Sequence, residues 1–238
     1  MKNKITPLLF LTFILFSCKK EEDAFPDTII KEYNFESGYE GWQVNYTDYP
    51  FNLSAKDSLE LYEMIHNHSP LPVTIQPTQS GIKIRGHNRS DDLCMYVQKK
   101  ITGLRPNTLY SLDFTIQIGS NAATKAIGVG GAPGESVYIK AGASNIEPKK
   151  IIGTEGNYNL NIDKGQQSQD GNDMIVIGHI GVTDTTTQYS LIERKNSNPF
   201  LKQSNDKGEL WLIVGTDSGY EGLTEIYYAS ITVELQKK

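Results

Sequence analysis

From residue 29 onward, apolar and polar residues alternate with a period of two in run after run, and Gly, Asn, Asp and Pro punctuate the runs. Residues 108–118 are the most regular. Tyr110, Leu112, Phe114, Ile116 and Ile118 share one face, while Ser111, Asp113, Thr115 and Gln117 share the other, which predicts a strand with one side on a core. Residues 224–235 repeat the pattern, with Tyr227, Ala229, Ile231, Val233 and Leu235 expected inward. Met174–Val182 and Leu210–Val214 are apolar on both faces and predict central strands. Further strands are expected at 29–35, 42–46, 73–76, 81–85, 93–101, 136–141, 157–162 and 187–193. Ser58–Ile65 admits two readings. Ser54 and Asp57 have the spacing of a capping box, with Leu59, Tyr62 and Ile65 at helical intervals, but the β context favours a strand. With no internal repeat of 20–50 residues, the pattern predicts an all-β chain: a single antiparallel β-sandwich of jelly-roll type over residues 29–238, with few or no helices.

The first residues follow another pattern. Lys2 and Lys4 precede an apolar run from Ile5 to Phe16, shorter than the ~20 residues a membrane-spanning helix needs. The run ends at Leu15-Phe16-Ser17-Cys18, which resembles the lipobox of bacterial lipoproteins, with Phe16 bulkier than that family usually shows. The resemblance implies a signal peptide over 1–17, cleavage before Cys18 and lipidation of Cys18, and hence attachment to the outer membrane. Residues 18–28 then form a charged tether. Within it, Lys19-Lys20-Glu21-Glu22-Asp23 also resembles a surface-export signal of some outer-membrane lipoproteins, which leaves the periplasmic and the outward face both open.

Charge and cysteine use narrow the classes. Loss of Lys2 and Lys4 with the leader takes the net charge from −5 to −7, which argues against nucleic acid and against electrostatic docking on anionic lipid. With Cys18 acylated, Cys94 is alone and no intramolecular disulfide is possible. Its place inside an apolar strand predicts a buried, inert thiol rather than a nucleophile.

Two stretches carry a second resemblance. Phe35-Glu36-Ser37-Gly38 with Gly41-Trp42, and Ile101-Thr102-Gly103-Leu104-Arg105-Pro106-Asn107-Thr108-Leu109-Tyr110, are similar to segments of galactose-binding-like jelly rolls, the fold of many carbohydrate-binding modules. In the second stretch Pro106-Asn107 supplies the turn and Tyr110 plugs the core. The resemblance implies a glycan-binding module and a structural calcium ion near Glu36. The acid expected in the last strand falls at Ala229 or Ser230, so half of that calcium site is missing.

Candidate chemistry lies in the loops. Arg89, Asp91 and Asp92 sit in the loop 87–92 and are suited to gripping hydroxyls or a cation; the alternative is a loop bonding its own backbone. Glu135 is the charged member of the glycine loop 130–136, which lacks a phosphate-loop lysine and is read as structural. Asp217 and Glu221, between two core strands, have the residue types of an acid–base pair. Asn159, Asn161, Asp163, Gly165 and Asp170 imitate a calcium loop with its glycine one place late and its terminal Glu absent. His66 and His68 are expected on one solvent-facing strand face without a third metal ligand, and His179 among isoleucines in the core. For stacking on sugar faces, Tyr46, Tyr49 and Tyr220 are the candidates for exposure. The combined expectation is a lipid-anchored, non-catalytic glycan-binding protein with no required cofactor. An envelope protein–protein role is the alternative, and a hydrolase using Asp91, Asp92, Asp217 or Glu221 is a third.

Overall fold

A computed structural model describes residues 25–76, 78–153, 156–183, 185 and 188–238. Cys18, the leader and most of the tether lie outside the described residues.

Fourteen strands and one helix follow in the order β1 (Thr28–Tyr33), β2 (Gln43–Thr47), α1 (Ala55–Leu61), β3 (Ile65–Pro70), β4 (Ser80–His87), β5 (Leu93–Ile101), β6 (Leu109–Ser120), β7 (Val137–Ser144), β8 (Lys150–Ile152), β9 (Tyr158–Leu160), β10 (Met174–His179), β11 (Ser190–Lys195), β12 (Phe200–Gln203), β13 (Leu210–Ser218) and β14 (Leu223–Lys237). They make a seven-stranded sheet of order β11-β6-β14-β4-β3, with β1 beside β14 and β12 beside β6, and a five-stranded sheet of order β10-β7-β13-β5-β2. Every strand pair is antiparallel. The main strands β4, β5, β6, β7, β10, β11, β13 and β14 alternate between sheets in the 1-8-3-6 and 2-7-4-5 order of a jelly roll. The all-β sandwich of the sequence pattern is therefore the fold.

The core between the sheets is made by period-two alternation. Tyr110, Leu112, Phe114, Ile116 and Ile118 of β6 are buried against Leu93, Met95 and Val97 of β5 and Leu210, Leu212 and Val214 of β13. Apolar burial at roughly 25 cal/mol per Å² makes this face the main stabilising term. The last strand departs from strict alternation. A bulge between Tyr228 and Ser230 shifts the register, so Ile226 and Tyr228 join Ile231, Val233 and Leu235 in the core. Tyr227 and Ala229, expected inward, instead pack with Leu71 in a separate cluster on the other side.

Three further expectations change. Residues 55–61 are helical: Ser54 Oγ accepts the Asp57 N–H at 3.1 Å, so the capping box decides the segment against a strand. Residues 73–76 form a turn, with the Ile75 N–H donating to the Pro72 carbonyl and Val73 exposed. Of the two doubly apolar strands, β13 is central but β10 is the edge of its sheet. The outward apolar residues of β10 are used differently: Met174 is covered by the chain's own segment, as are Cys94, Tyr96 and Ile213.

That covering segment positions the site. Residues 156–173, including β9, cross the outer face of the five-stranded sheet as a strap, and Leu160 and Ile162 seal Cys94, Tyr96 and Ile213. Gly215 leaves room for Tyr96 of the paired strand on this face: a Cβ there would stand 2.7 Å from Tyr96 Cβ.

Candidate functional site

Asp217 of β13, Cys94 of β5 and Thr47 of β2 lie directly opposite one another across three strands, so all three side chains point to the outer face of the sheet. Asp48, at the end of β2 with φ of +65°, turns its carboxyl into the same space. Asp92 enters from the loop before β5, and Lys140 stands on β7 opposite Gly215. The strap adds Lys164.

The result is a buried charge cluster. Asp48, Asp92 and Asp217 each place a carboxylate oxygen within 4.8 Å of the other two. The Lys164 ammonium sits among them, 2.8 Å from Asp217 Oδ2, 3.3 Å from Asp48 Oδ2 and 3.9 Å from Asp92 Oδ1. Lys140, 1% exposed, donates to the carbonyls of Lys164 at 2.7 Å and Gln169 at 3.0 Å and lies 3.1 Å from Asp217 Oδ2. The Gln167 N–H donates to Asp217 Oδ2 at 2.9 Å, and Asn159 Nδ2 donates to Asp48 Oδ1 at 2.9 Å. An ammonium therefore already fills the centre where a cation would sit.

Burial and charge set the ionisation of each member. Burial pushes Asp48 up, against the pull of Lys164 and Asn159. Burial, then the Asp217 charge and hydrogen bond, pushes Asp92 up to about 8. Burial also acts upward on Asp217, but Lys164, the Asp92 hydrogen bond and Lys140 outweigh it and hold the group below the usual carboxylate range. The Cys94 thiol is fully buried and pushed well above its ordinary value, as expected for an inert cysteine.

Above the cluster opens a groove of about 190 Å³, lined by Asp48, Asp92, Asn159, Asp163, Lys164 and Gln166, with Leu160 and Ile162 at its floor. Asp163, Gln166 and the strap backbone reach solvent here, whereas Asp217 is entirely enclosed.

The sequence-selected residues distribute unevenly. Asp92 and Asp217 converge in the cluster. Asp91 is exposed and contributes its carbonyl, which accepts from Gln167 Nε2 at 3.0 Å. Arg89 turns away, with Nε donating to the Leu61 carbonyl at 2.7 Å. Glu135 and Glu221 are exposed and outside the cluster, and the Glu221 N–H ties its turn to the Val129 carbonyl. Tyr46 and Tyr49, expected to be exposed, are 8% and 5% exposed. The Tyr49 ring packs on Tyr62 and Tyr158 and its hydroxyl accepts from Lys150. Strand pairing and the strap's own pairing with residues 48–51 buried what looked like turn aromatics. Tyr220 is half-buried.

The ion readings do not fit. Glu36 is exposed and joins no acidic group among the described residues, and the buried Ala229 supplies no side-chain oxygen opposite it. Asp163 is saturated by protein donors, the N–H groups of Gly165 and Asn172 and the Asn172 amide, while Asp170 accepts from the Val176 N–H. Those acids fold the strap on itself. His66 is exposed beside Tyr39 and Tyr46, but His68 is half-buried with Nε2 2.5 Å from the Phe35 carbonyl. His179, expected in the core, is half-buried and accepts the Gly181 N–H through Nδ1.

Sequence reasoning missed Asp48, Lys140 and Lys164. A buried lysine within the alternating strand 136–141 was the available signal: Lys140 shares its face with partners only the fold supplies.

No family model matches this chain, and no curated protein matches it. Solved structures similar to it are distant. A bacteriophage CBA120 tailspike protein 4 enzymatically active domain aligns at 9% identity and a TM-score of 0.35 over 84% of this chain, which spans 20% of that one. TmCBM27, a carbohydrate-binding module described for specific mannan recognition, aligns at 10% identity and 0.36 over 89% of this chain and 98% of its own. A sugar-binding protein of Bacteroides thetaiotaomicron VPI-5482, so described at the level of a proposal, aligns at 11% and 0.37 over 82% and 88%. Scores of this size leave the fold to be read from the chain's own strand order and its chemistry from its own groove.

Proposed function

We propose that this chain is a lipid-anchored, non-catalytic glycan-binding protein of the bacterial envelope, taking a short stretch of polysaccharide in the groove above the charge cluster. The observation that carries the reading is the groove's lining. Polar side chains line one open space, with Gln166 exposed and Asp92 and Asn159 half-buried at it, so that donors and acceptors are offered there as vicinal hydroxyls require. Attachment at Cys18 is supported by the leader sequence, and two or more acyl chains would make it lasting. Absence of catalysis is supported by the enclosure of Asp217. Its carboxylate is the depressed member of a close acid pair, the arrangement of a nucleophile or base, yet it is 0% exposed and held by two lysines.

A glycan array and affinity electrophoresis in soluble polysaccharides test binding: retention by at least one glycan is expected, weakened in Asn159→Ala and Gln166→Ala. Retention by none overturns the reading. Metabolic labelling with palmitate, lost in Cys18→Ala, tests the anchor. The second reading, a protein partner, is favoured by Ile127 and Val129, which stand exposed on the glycine-rich loop. Capture of one envelope protein with no glycan retention would establish it.

A further inference from the structure

Three carboxylates and two ammoniums leave the cluster one positive charge short, with Asp217 fully enclosed and Asp92 Oδ1 buried although the rest of the Asp92 side chain reaches the groove. The shortfall has an address. Asp217 Oδ2 takes Lys140, Lys164 and the Gln167 N–H, but Asp217 Oδ1 is buried without a donor, and so is Asp92 Oδ1. Two buried acceptors without donors, on carboxylates that approach within 4.8 Å of each other, repel, and each would cost the desolvation of an unsatisfied charged group. A single proton between them removes both problems and brings the cluster to neutrality.

We propose that one proton shared by Asp92 and Asp217 latches the strap of residues 156–173 onto the five-stranded sheet, and that the latch weakens as pH rises. The strap depends on this cluster because Asn159, Lys164, Gln166 and Gln167 link it to Asp48, Asp92 and Asp217. The ionisable groups facing the pair come from every neighbouring element: Asp48 after β2, Cys94 of β5, Lys140 of β7 and Lys164 of the strap itself. Burial keeps Cys94 a neutral thiol and the surrounding carboxylates keep Lys164 charged, which leaves the proton of Asp92, raised toward neutrality, as the exchangeable one. Its proton passes to water when the strap lifts.

The sign follows from linkage. With the strap lifted, Asp92 is solvated and titrates near the ordinary aspartate value of about 3.9. With the strap closed it holds its proton up to about 8. The closed state therefore binds more protons between those limits. The Asp92 contribution to closure is full below the lower limit, weakens by up to about tenfold per pH unit as pH rises between them, and is gone above the upper one. The low pKa of Asp217 matters only below this window.

Native-state hydrogen exchange of the full chain between pH 5 and 9, corrected for intrinsic rates and referenced to β6 and β14, tests the proposal. The expected result is a strap-opening constant that climbs by several-fold per pH unit to about pH 8 and then levels. In Asp92→Asn, whose amide donates permanently to Asp217, most of that slope disappears. A wild-type strap with no pH dependence, or equal slopes in both proteins, overturns it. Should Asp92→Asn not fold, carboxyl 13C NMR of the wild type decides: an Asp92 midpoint near 8 sustains the shared proton, and one below 5 removes it. Glycan retention plays no part in either readout, so failure here and failure of the binding reading are separate.

Discussion

Lys164 Nζ lies 2.8 Å from Asp217 Oδ2, joining a strap residue to a sheet residue 53 positions later in the chain, with the lysine side chain 10% and the aspartate 0% exposed. The pair ties the outer layer of the molecule to the five-stranded sheet.

Lys164→Met leaves Asp217 and Asp48 short of their shared cation. A loss of about 3–5 kcal/mol in denaturant unfolding is expected, the cost of an uncompensated buried charge. Lys164→Met with Asp217→Asn should recover part of it. A double variant whose loss equals the sum of the singles would mean that the two residues do not interact.

Cys94 should be silent to a thiol reagent in the folded protein at pH 8 and react fully in denaturant, because the strap covers it and burial raises its pKa. Rapid labelling of native protein, followed by peptide mapping to Cys94, is the contrary outcome.

Tyr110 is wholly buried, and its hydroxyl accepts the Arg105 N–H at 2.9 Å across the Pro106-Asn107 turn. Tyr110→Phe keeps the core volume but leaves that N–H without its acceptor, so a loss of about 1–2 kcal/mol is expected by thermal or chemical unfolding. An unchanged midpoint would show that the hydroxyl adds nothing to the hairpin.

Glu225 on the outer face of the seven-stranded sheet accepts from Lys83 at 2.8 Å and from the Tyr189 hydroxyl at 3.0 Å. Burial acts upward on it, but Lys83 and the Tyr189 hydrogen bond prevail and its pKa is lowered. The stability it contributes is therefore present above the ordinary glutamate value and lost as pH falls through the lowered one. Glu225→Gln should flatten the acid limb of the stability profile slightly, by under about 1 kcal/mol given its partial exposure. A steeper acid limb in the variant would contradict this.

The alternation in residues 108–118 was enough to place β6, because period-two burial is a local property of a strand with one face on a core, and the apolar run at 93–101 marked β5, which is buried on both faces. Ser54 and Asp57 likewise carried the start of α1 in their spacing, although the β context argued against it. The motif at 101–110 marked its turn and its core tyrosine. The sequence did not reveal the bulge at Tyr228–Ser230, which moves Tyr227 across the sheet, since one extra residue shifts the phase without altering the composition. Nor did it reveal that Tyr46 and Tyr49 are covered, because Tyr46 is enclosed by the packing of the two sheets and Tyr49 by strap residues more than a hundred positions away.

By itself, then, the sequence determined the β architecture, the place of Cys94 inside an apolar strand and the polar loop 87–92 that holds Asp92. Only the tertiary structure decided that Asp92 meets Asp217 while Glu135, Glu221 and Arg89 do not. Strand order and register set which side chains share a face, and these are fixed by pairings such as Asp217 with Cys94 and Cys94 with Thr47, which join distant segments. The charge state was decided there too. A carboxyl group's proton affinity depends on what is buried around it: strand pairing brings Lys140 and Asp48 beside Asp217, and Lys164 reaches the acids only when the strap closes on the sheet.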